Sequence, residues 1–317
     1  MKAVYLEEGA VNAGDISLKP ITDLIETKVY GNTTEKDKYD HIGDAEVVFA
    51  NKIIFDEEAF ERCPGLKYIG VCATGYNVID LEAAKRHGVT VTNVPAYSTE
   101  SVTQLTWGFI LECAGRMRLH DESVHRGDWI RSETFCYWLA PVTELAGKTL
   151  GIVGYGNIGR RVAEIADAFR MKVLVHTAHP EKYPEDKRDF VSMDELFRRA
   201  DVITLHCPMN DKTEKMICRD NIAKMKDGVF LINVSRGGLV NEEELAEALK
   251  NGKVAAAAAD VISSEPMLPD NPLLRAPNMM LTPHMAWASV EARTRLIQAV
   301  ADNFKAWTEG RKLNVVS

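Results

Sequence analysis

The chain has 317 residues, 46% of them hydrophobic, with a net charge of −8 and a pI near 5.6. That length suggests two domains, each with enough apolar residues for a core. The acidic balance argues against nucleic acid or an anionic membrane as main partner, a local basic patch remaining compatible with it, and no apolar stretch approaches the ~20 residues of a bilayer span.

The N-terminus, Met1-Lys2-Ala3-Val4-Tyr5-Leu6-Glu7-Glu8, lacks the long apolar core of a secretory signal, so a cytoplasmic protein is expected. Strand-like runs follow at residues 3–6, 45–49, 66–72 and 90–92, with helix-compatible stretches at 56–62 and 80–87 between them. Alternating β and α suggests a parallel sheet. A helical segment over 98–117 leads into residues 126–141, which carry Trp129, Phe135, Tyr137 and Trp138. Core or dimer packing is the preferred reading of these aromatics, and closure of one side of an active site the alternative. A second alternating region has strands at 149–153, 172–175, 202–206, 229–234, 254–260 and 279–282, the strand supply of a doubly wound dinucleotide domain. Prolines at 266, 269, 272, 277 and 283 imply an irregular loop before the last strand. Apolar residues at 296, 297, 300, 304 and 307 mark a final helix. The six cysteines, at 63, 72, 113, 136, 207 and 218, form no C-x-x-C pair and no zinc-like cluster with histidine, so reduced thiols and no metal are expected. For Cys136 packing is preferred over reactivity.

The most informative feature is the turn after the strand at 149–153. Gly154, Gly156 and Gly159 have G-x-G-x-x-G spacing, and Ile158, Val162, Ile165, Ala166 and Phe169 then mark one face of a helix. The first glycine makes the sharp turn, the second admits a pyrophosphate, and the third lets helix and strand pack closely. The helix start presents free N–H groups and a positive dipole end to the phosphates. The alternative is a βαβ glycine turn that binds nothing.

Ligands of open α/β sheets bind beyond the carboxyl ends of the strands. Three titratable residues lie there: Arg236, Glu265 and His284. Arginine offers a planar fork to a carboxylate and a carbonyl oxygen. Histidine can give a proton to a developing alkoxide, and a carboxylate beside it favours the protonated ring. Together they suit hydride transfer to a 2-oxo acid. Singly, each has a plain structural reading: a surface cation, a loop charge and a satisfied turn histidine.

Four stretches carry a resemblance over essentially the whole chain. They are Gly151-Ile152-Val153-Gly154-Tyr155-Gly156-Asn157-Ile158-Gly159, Asn233-Val234-Ser235-Arg236-Gly237-Gly238-Leu239-Val240, Asp260-Val261-Ile262-Ser263-Ser264-Glu265-Pro266 and Thr282-Pro283-His284. In these the chain resembles the D-isomer-specific 2-hydroxyacid dehydrogenase family. The resemblance implies an α/β fold of two doubly wound parallel-sheet domains. A Rossmann NAD-binding domain, 99–287, would be inserted into a flavodoxin-like substrate domain, 1–98 and 288–317, and a cleft between them would close on substrate. It implies that Arg236 holds the substrate carboxylate and oxo group, that His284 is the acid/base and that Glu265 orients it. Backbone N–H groups at Thr74 and Gly75 would grip the carboxylate. Cofactor contacts would fall on Asn157 and Ile158 at the pyrophosphate, on Cys207, Pro208 and Thr213 beside the adenosine half, and on Val234 and Asp260 near the nicotinamide. A homodimer is expected on the same ground.

The stretches Phe135-Cys136-Tyr137-Trp138, before Pro141, and Thr282-Pro283-His284-Met285-Ala286-Trp287-Ala288 are similar to the glycerate dehydrogenase (hydroxypyruvate reductase) branch. Hydroxypyruvate or glyoxylate is then the expected substrate, giving D-glycerate or glycolate. Asn51 and Lys52 stand where they could reach the same cleft, although an exposed lysine is the simpler reading.

One position departs from the usual pattern. NAD-specific Rossmann domains usually carry an acid at the end of the second strand, where this chain has Thr177 followed by Ala178 and His179. No acid there repels a 2′-phosphate and no arginine follows directly to grip one. NAD(H) use with weak discrimination, NADP(H) included, is expected. The rival class is an NAD(H)-sensing corepressor-like binding protein of the same fold. A Rossmann methyltransferase would leave the Arg, Glu and His unexplained.

Overall fold

The computed structural model describes residues 1–317 and divides into two compact units, Met1–Ser98 with Trp287–Ser317, and Thr99–Ala286. Trp287 lies in the first unit, where its ring meets Tyr97 edge-on at 6.3 Å between centroids. The break expected after residue 287 therefore falls one residue earlier.

The first unit is built on five parallel strands, β1 (Ala3–Tyr5), β2 (Thr27–Val29), β3 (Val47–Ala50), β4 (Tyr68–Val71) and β5 (Thr90–Thr92), in the order β2-β1-β3-β4-β5. That is the flavodoxin-like order. β1, β3 and β4 are buried throughout, which explains their unbroken apolar runs. On one face Val48, Ile69 and Val91 pack with Phe55, Phe60 and Ala83. On the other, Val47, Phe49 and Tyr68 meet Leu296, Ile297, Val300 and Phe304 of the helix Val290–Thr308. Each of those four helix side chains is almost fully buried and stabilises the unit by about 1.5–3 kcal/mol. Asp56 and Asp80 cap their helices by accepting from the N–H groups of Ala59 and Ala83.

The second unit has seven parallel strands, β6 (Thr149–Val153), β7 (Lys172–His176), β8 (Asp189–Phe190), β9 (Val202–Leu205), β10 (Val229–Asn233), β11 (Val254–Ala259) and β12 (Met279–Leu281). Their order is β12-β11-β10-β9-β6-β7-β8. Counted from β6, this is the Rossmann order 3-2-1-4-5-6 with one further strand outside it. Ile203, Leu205, Val229 and Leu231 bury one face together with Leu196, Phe197, Leu245 and Leu249. The helices Thr99–Gly115 and Asn157–Ala168 pack on each other and cover the other. The order reverses between β6 and β9, so the crevice that binds ligands in such sheets opens at the carboxyl end of β6.

Several local expectations change. The helical segment over 98–117 is two helices, Thr99–Gly115 and Met117–His125, separated by Arg116 in a left-handed conformation with φ 53°. The Glu112 carboxylate accepts from the Arg118 N–H at 3.2 Å and so serves the start of the second helix. The aromatic residues of 126–141 are not core: Trp129 is 54%, Phe135 88% and Trp138 72% exposed, and Ile130 beside them is 88% exposed. Cys136 is exposed as well, and all six thiols are free. No helix is long and apolar enough to cross a membrane.

Candidate active site

The glycine turn sits at the reversal point, and its three glycines meet different surroundings. Gly154 has φ +94°, and a Cβ there would lie 2.5 Å from the Cys207 nitrogen. A Cβ on Gly159 would lie 2.2 Å from the Gly154 oxygen. These two glycines allow backbone to approach backbone, whereas a Cβ on Gly156 would meet nothing within 4 Å. Gly156 is also the N-cap of the helix Asn157–Ala168, with no side chain capping its first N–H groups. A bare helix start beside open space fits a dinucleotide pyrophosphate. Asn157 and Ile158 form the first turn, and Asn157 Oδ1 accepts from Arg160 at 3.0 Å. The residues expected beside the adenosine half line the same edge. Thr177 Oγ1 accepts from the His179 N–H at 3.3 Å. Cys207 is buried against the glycine turn. Thr213 Oγ1 donates to Pro208 O and accepts from the Asn210 N–H, each at 2.8 Å, which folds the 208–213 loop.

Arg236, Glu265 and His284 follow β10, β11 and β12, three neighbouring strands. Asn233 shapes the turn after β10: its Oδ1 accepts from the Ser235 N–H at 3.1 Å and its Nδ2 donates to Arg236 O at 2.8 Å. Val234, at this strand end, is buried. Gly237 then lies so close to Ile262 that a Cβ would fall 1.8 Å from the Ile262 carbonyl carbon. The Arg236 loop is thereby pressed onto the Glu265 loop. Glu265 Oε1 accepts from the Ile262 N–H at 3.2 Å, and Oε2 accepts from His284 Nδ1 at 2.6 Å. With Nδ1 so engaged, His284 Nε2 has no partner in the chain and can donate to or accept from a substrate. Arg236 is exposed and spends one N–H on Ser235 O at 2.7 Å, leaving most of its fork available.

Asp260 is only 1% exposed, and its carboxylate is filled from within the chain. Oδ1 accepts from Thr282 Oγ1 at 2.5 Å and from the Met285 N–H at 2.8 Å, while Oδ2 accepts from the Ala286 N–H at 2.8 Å. The His284 N–H donates to Asp260 O at 2.8 Å. Asp260 thus fixes the turn that carries the histidine. Burial raises its carboxyl above the ordinary value, against the lowering effect of these donors.

In the first unit, Thr74 and Gly75 follow β4. Thr74 Oγ1 donates to Val94 O and Thr74 O accepts from Asn93, each at 2.8 Å, so the loop is braced while its Thr74 and Gly75 N–H groups stay unpaired within the chain. Paired free N–H groups of this kind suit a carboxylate. Sequence reasoning missed Glu7, a buried acid whose Oε2 accepts from the N–H groups of Asn51, Lys52 and Ile53 at 2.9, 2.8 and 3.1 Å. It anchors the loop after β3, next to the Thr74 loop. Beside Glu8 it reads as surface charge, and only the three donors reveal its task.

Comparisons with known proteins give the family. The family model described as "D-isomer specific 2-hydroxyacid dehydrogenase, NAD binding domain" matches residues 107–286. The chain is 43% identical to hydroxypyruvate reductase of Blautia hydrogenotrophica, with 100% of each chain covered. It is 37% identical to glycerate dehydrogenase of Methylorubrum extorquens, covering 99% of this chain and 98% of that one. Among solved structures it is similar to a D-lactate dehydrogenase from Aquifex aeolicus complexed with NAD and lactic acid, with 28% identity, 98% and 96% coverage and a TM-score of 0.82. An acyclic imino acid reductase in complex with NADPH and D-Arg aligns over 100% of both chains at 27% identity and a TM-score of 0.86. The chain belongs to the D-isomer-specific 2-hydroxyacid dehydrogenase family. It is an NAD(P)-dependent oxidoreductase acting between a 2-oxo acid and a D-2-hydroxy acid.

Proposed function

We propose that this chain reduces hydroxypyruvate to D-glycerate and glyoxylate to glycolate, with Arg236, Glu265 and His284 at the reacting centre. The observation that carries the reading is the 2.6 Å contact between His284 Nδ1 and Glu265 Oε2, which leaves Nε2 free. Gly154, Gly156, Asn157, Ile158 and Gly159 would hold the dinucleotide, which would supply the hydride. As the substrate carbonyl carbon gains that hydride, its oxygen takes the carbonyl π pair and becomes an alkoxide. His284 Nε2 delivers a proton to this oxygen, and Glu265, bonded at Nδ1, holds the ring in place. The Arg236 fork favours the developing negative charge and orients the carboxylate.

Thr177 supports use of both coenzymes, because its hydroxyl suits a ribose and carries no charge to repel a 2′-phosphate. The exposed side chains of Ile130, Phe135 and Trp138 support a homodimer. The functional test is loss of NADH or NADPH absorbance with hydroxypyruvate, glyoxylate, pyruvate and phenylpyruvate. Hydroxypyruvate is expected to have the highest kcat/KM. Fastest turnover of phenylpyruvate would contradict the substrate assignment, and no turnover of any would contradict the enzyme.

A further inference from the structure

Tyr155, the residue between the first two glycines of the turn, is 4% exposed. Its ring meets Tyr183 and Phe190 edge-on, at 5.1 and 5.5 Å between centroids, while those two rings stack on each other at 6.0 Å. Its hydroxyl donates to Asp186 Oδ2 at 2.7 Å. Asp186 Oδ1 accepts from the Arg188 N–H at 3.1 Å. The Arg188 guanidinium in turn grips both oxygens of Asp167, on the helix Asn157–Ala168, at 2.6 and 2.5 Å. The segment 177–188 joins β7 to β8, and apart from the short turn Pro180–Lys182 it has no regular structure. Two ties therefore hold it, one from the glycine turn itself and one from the helix that the turn begins. The segment starts at Thr177, the position opposite the adenosine ribose in dinucleotide sheets.

We propose that Tyr155 is a positioning residue for the adenosine half of the dinucleotide, which fixes the 177–188 segment against the glycine turn through Asp186. This rests on the coenzyme reading given above. A connection of this length and exposure is otherwise the kind that moves freely. A hydroxyl–carboxylate bond is charge-assisted, and a loop already ordered costs less on binding. The seat for the pyrophosphate and the seat for the ribose thereby become one preordered surface.

Tyr155→Phe removes the hydroxyl and keeps the three-ring packing, so thermal melting is expected to change little. Titration calorimetry with ADP-ribose and with NADH should show Kd raised about fivefold for both. Amide hydrogen exchange over residues 178–187 should quicken. In turnover, KM for NADH should rise while KM for hydroxypyruvate does not. Asp186→Ala should match Tyr155→Phe, the double variant should be no worse than either, and Asp186→Asn, which keeps an acceptor, should retain part of the affinity. Unchanged ADP-ribose affinity in Tyr155→Phe, or losses that simply add in the double variant, would overturn the proposal. Wild-type protein that binds neither NADH nor ADP-ribose would overturn the coenzyme reading instead.

Discussion

His284 has φ 54°, a left-handed backbone that a residue with a β-carbon adopts only when its surroundings hold it. The Asp260 carboxylate and carbonyl do so, through the Met285, Ala286 and His284 N–H groups. The imidazole is then aimed by Glu265. Glu265→Gln, which exchanges the charged acceptor at His284 Nδ1 for a neutral amide, is expected to lower kcat/KM for hydroxypyruvate about 100-fold in steady-state kinetics. His206 is a second informative histidine. Both its ring nitrogens are buried without a partner, and burial lowers its pKa from 6.5 to about 3. Below pH 6.5 the unfolded chain binds a proton there that the native chain refuses. Stability present above pH 6.5 is thus lost as pH falls toward 3, by up to about 1.4 kcal/mol per pH unit. Urea unfolding at pH 7 and pH 5 should show a smaller pH-dependent loss for His206→Phe than for the wild type. The glycine turn was legible in sequence because its signal is local. The residues Arg236, Glu265 and His284 were legible as strand-end residues. The bond between Glu265 and His284 depends on β11 and β12 being neighbours, which spacing alone does not give.

The element that joins these residues is the tight crossing of the Arg236 and Glu265 loops at Gly237 and Ile262. A methyl group at Gly237 would overlap the Ile262 backbone, so one loop must move. Gly237→Ala is expected to destabilise the protein by about 1–3 kcal/mol in urea unfolding. By displacing Arg236 it should also reduce kcat/KM by about 100-fold in steady-state kinetics. Gly238 beside it reads identically in sequence, but a Cβ there would meet only the flexible Met209 side chain, so the difference appears only in the packed structure. Buried strands were readable from apolar runs, within a residue or two at the ends. β2 and β8 were not: they are sheet edges, only partly buried, and carry the weak patterns Thr-Lys-Val and Asp-Phe. The helix break at Arg116 has no proline, and nothing in its own side chain announces a left-handed residue.

At the scale of the whole molecule, two parallel sheets of different strand order account for the composition: short apolar strands, polar helix faces and an acidic balance. Both sheet orders follow from the family resemblance, whereas alternation alone indicated only parallel sheets. The aromatic segment at 126–141 has too many apolar side chains for an ordinary loop, yet they lie outside the core. Replacing Phe135 and Trp138 by serine is expected to shift the species seen by light scattering from dimer to monomer; an unchanged mass would contradict the proposed interface. The central claim is that His284 gives the proton during reduction of a short 2-oxo acid. It is tested most directly by following NADH absorbance with hydroxypyruvate in the wild type and in His284→Gln, with coenzyme binding measured on both. The expected result is turnover by the wild type and a loss of about 1,000-fold in kcat for the variant at unchanged NADH affinity. Equal turnover by the two proteins would contradict it.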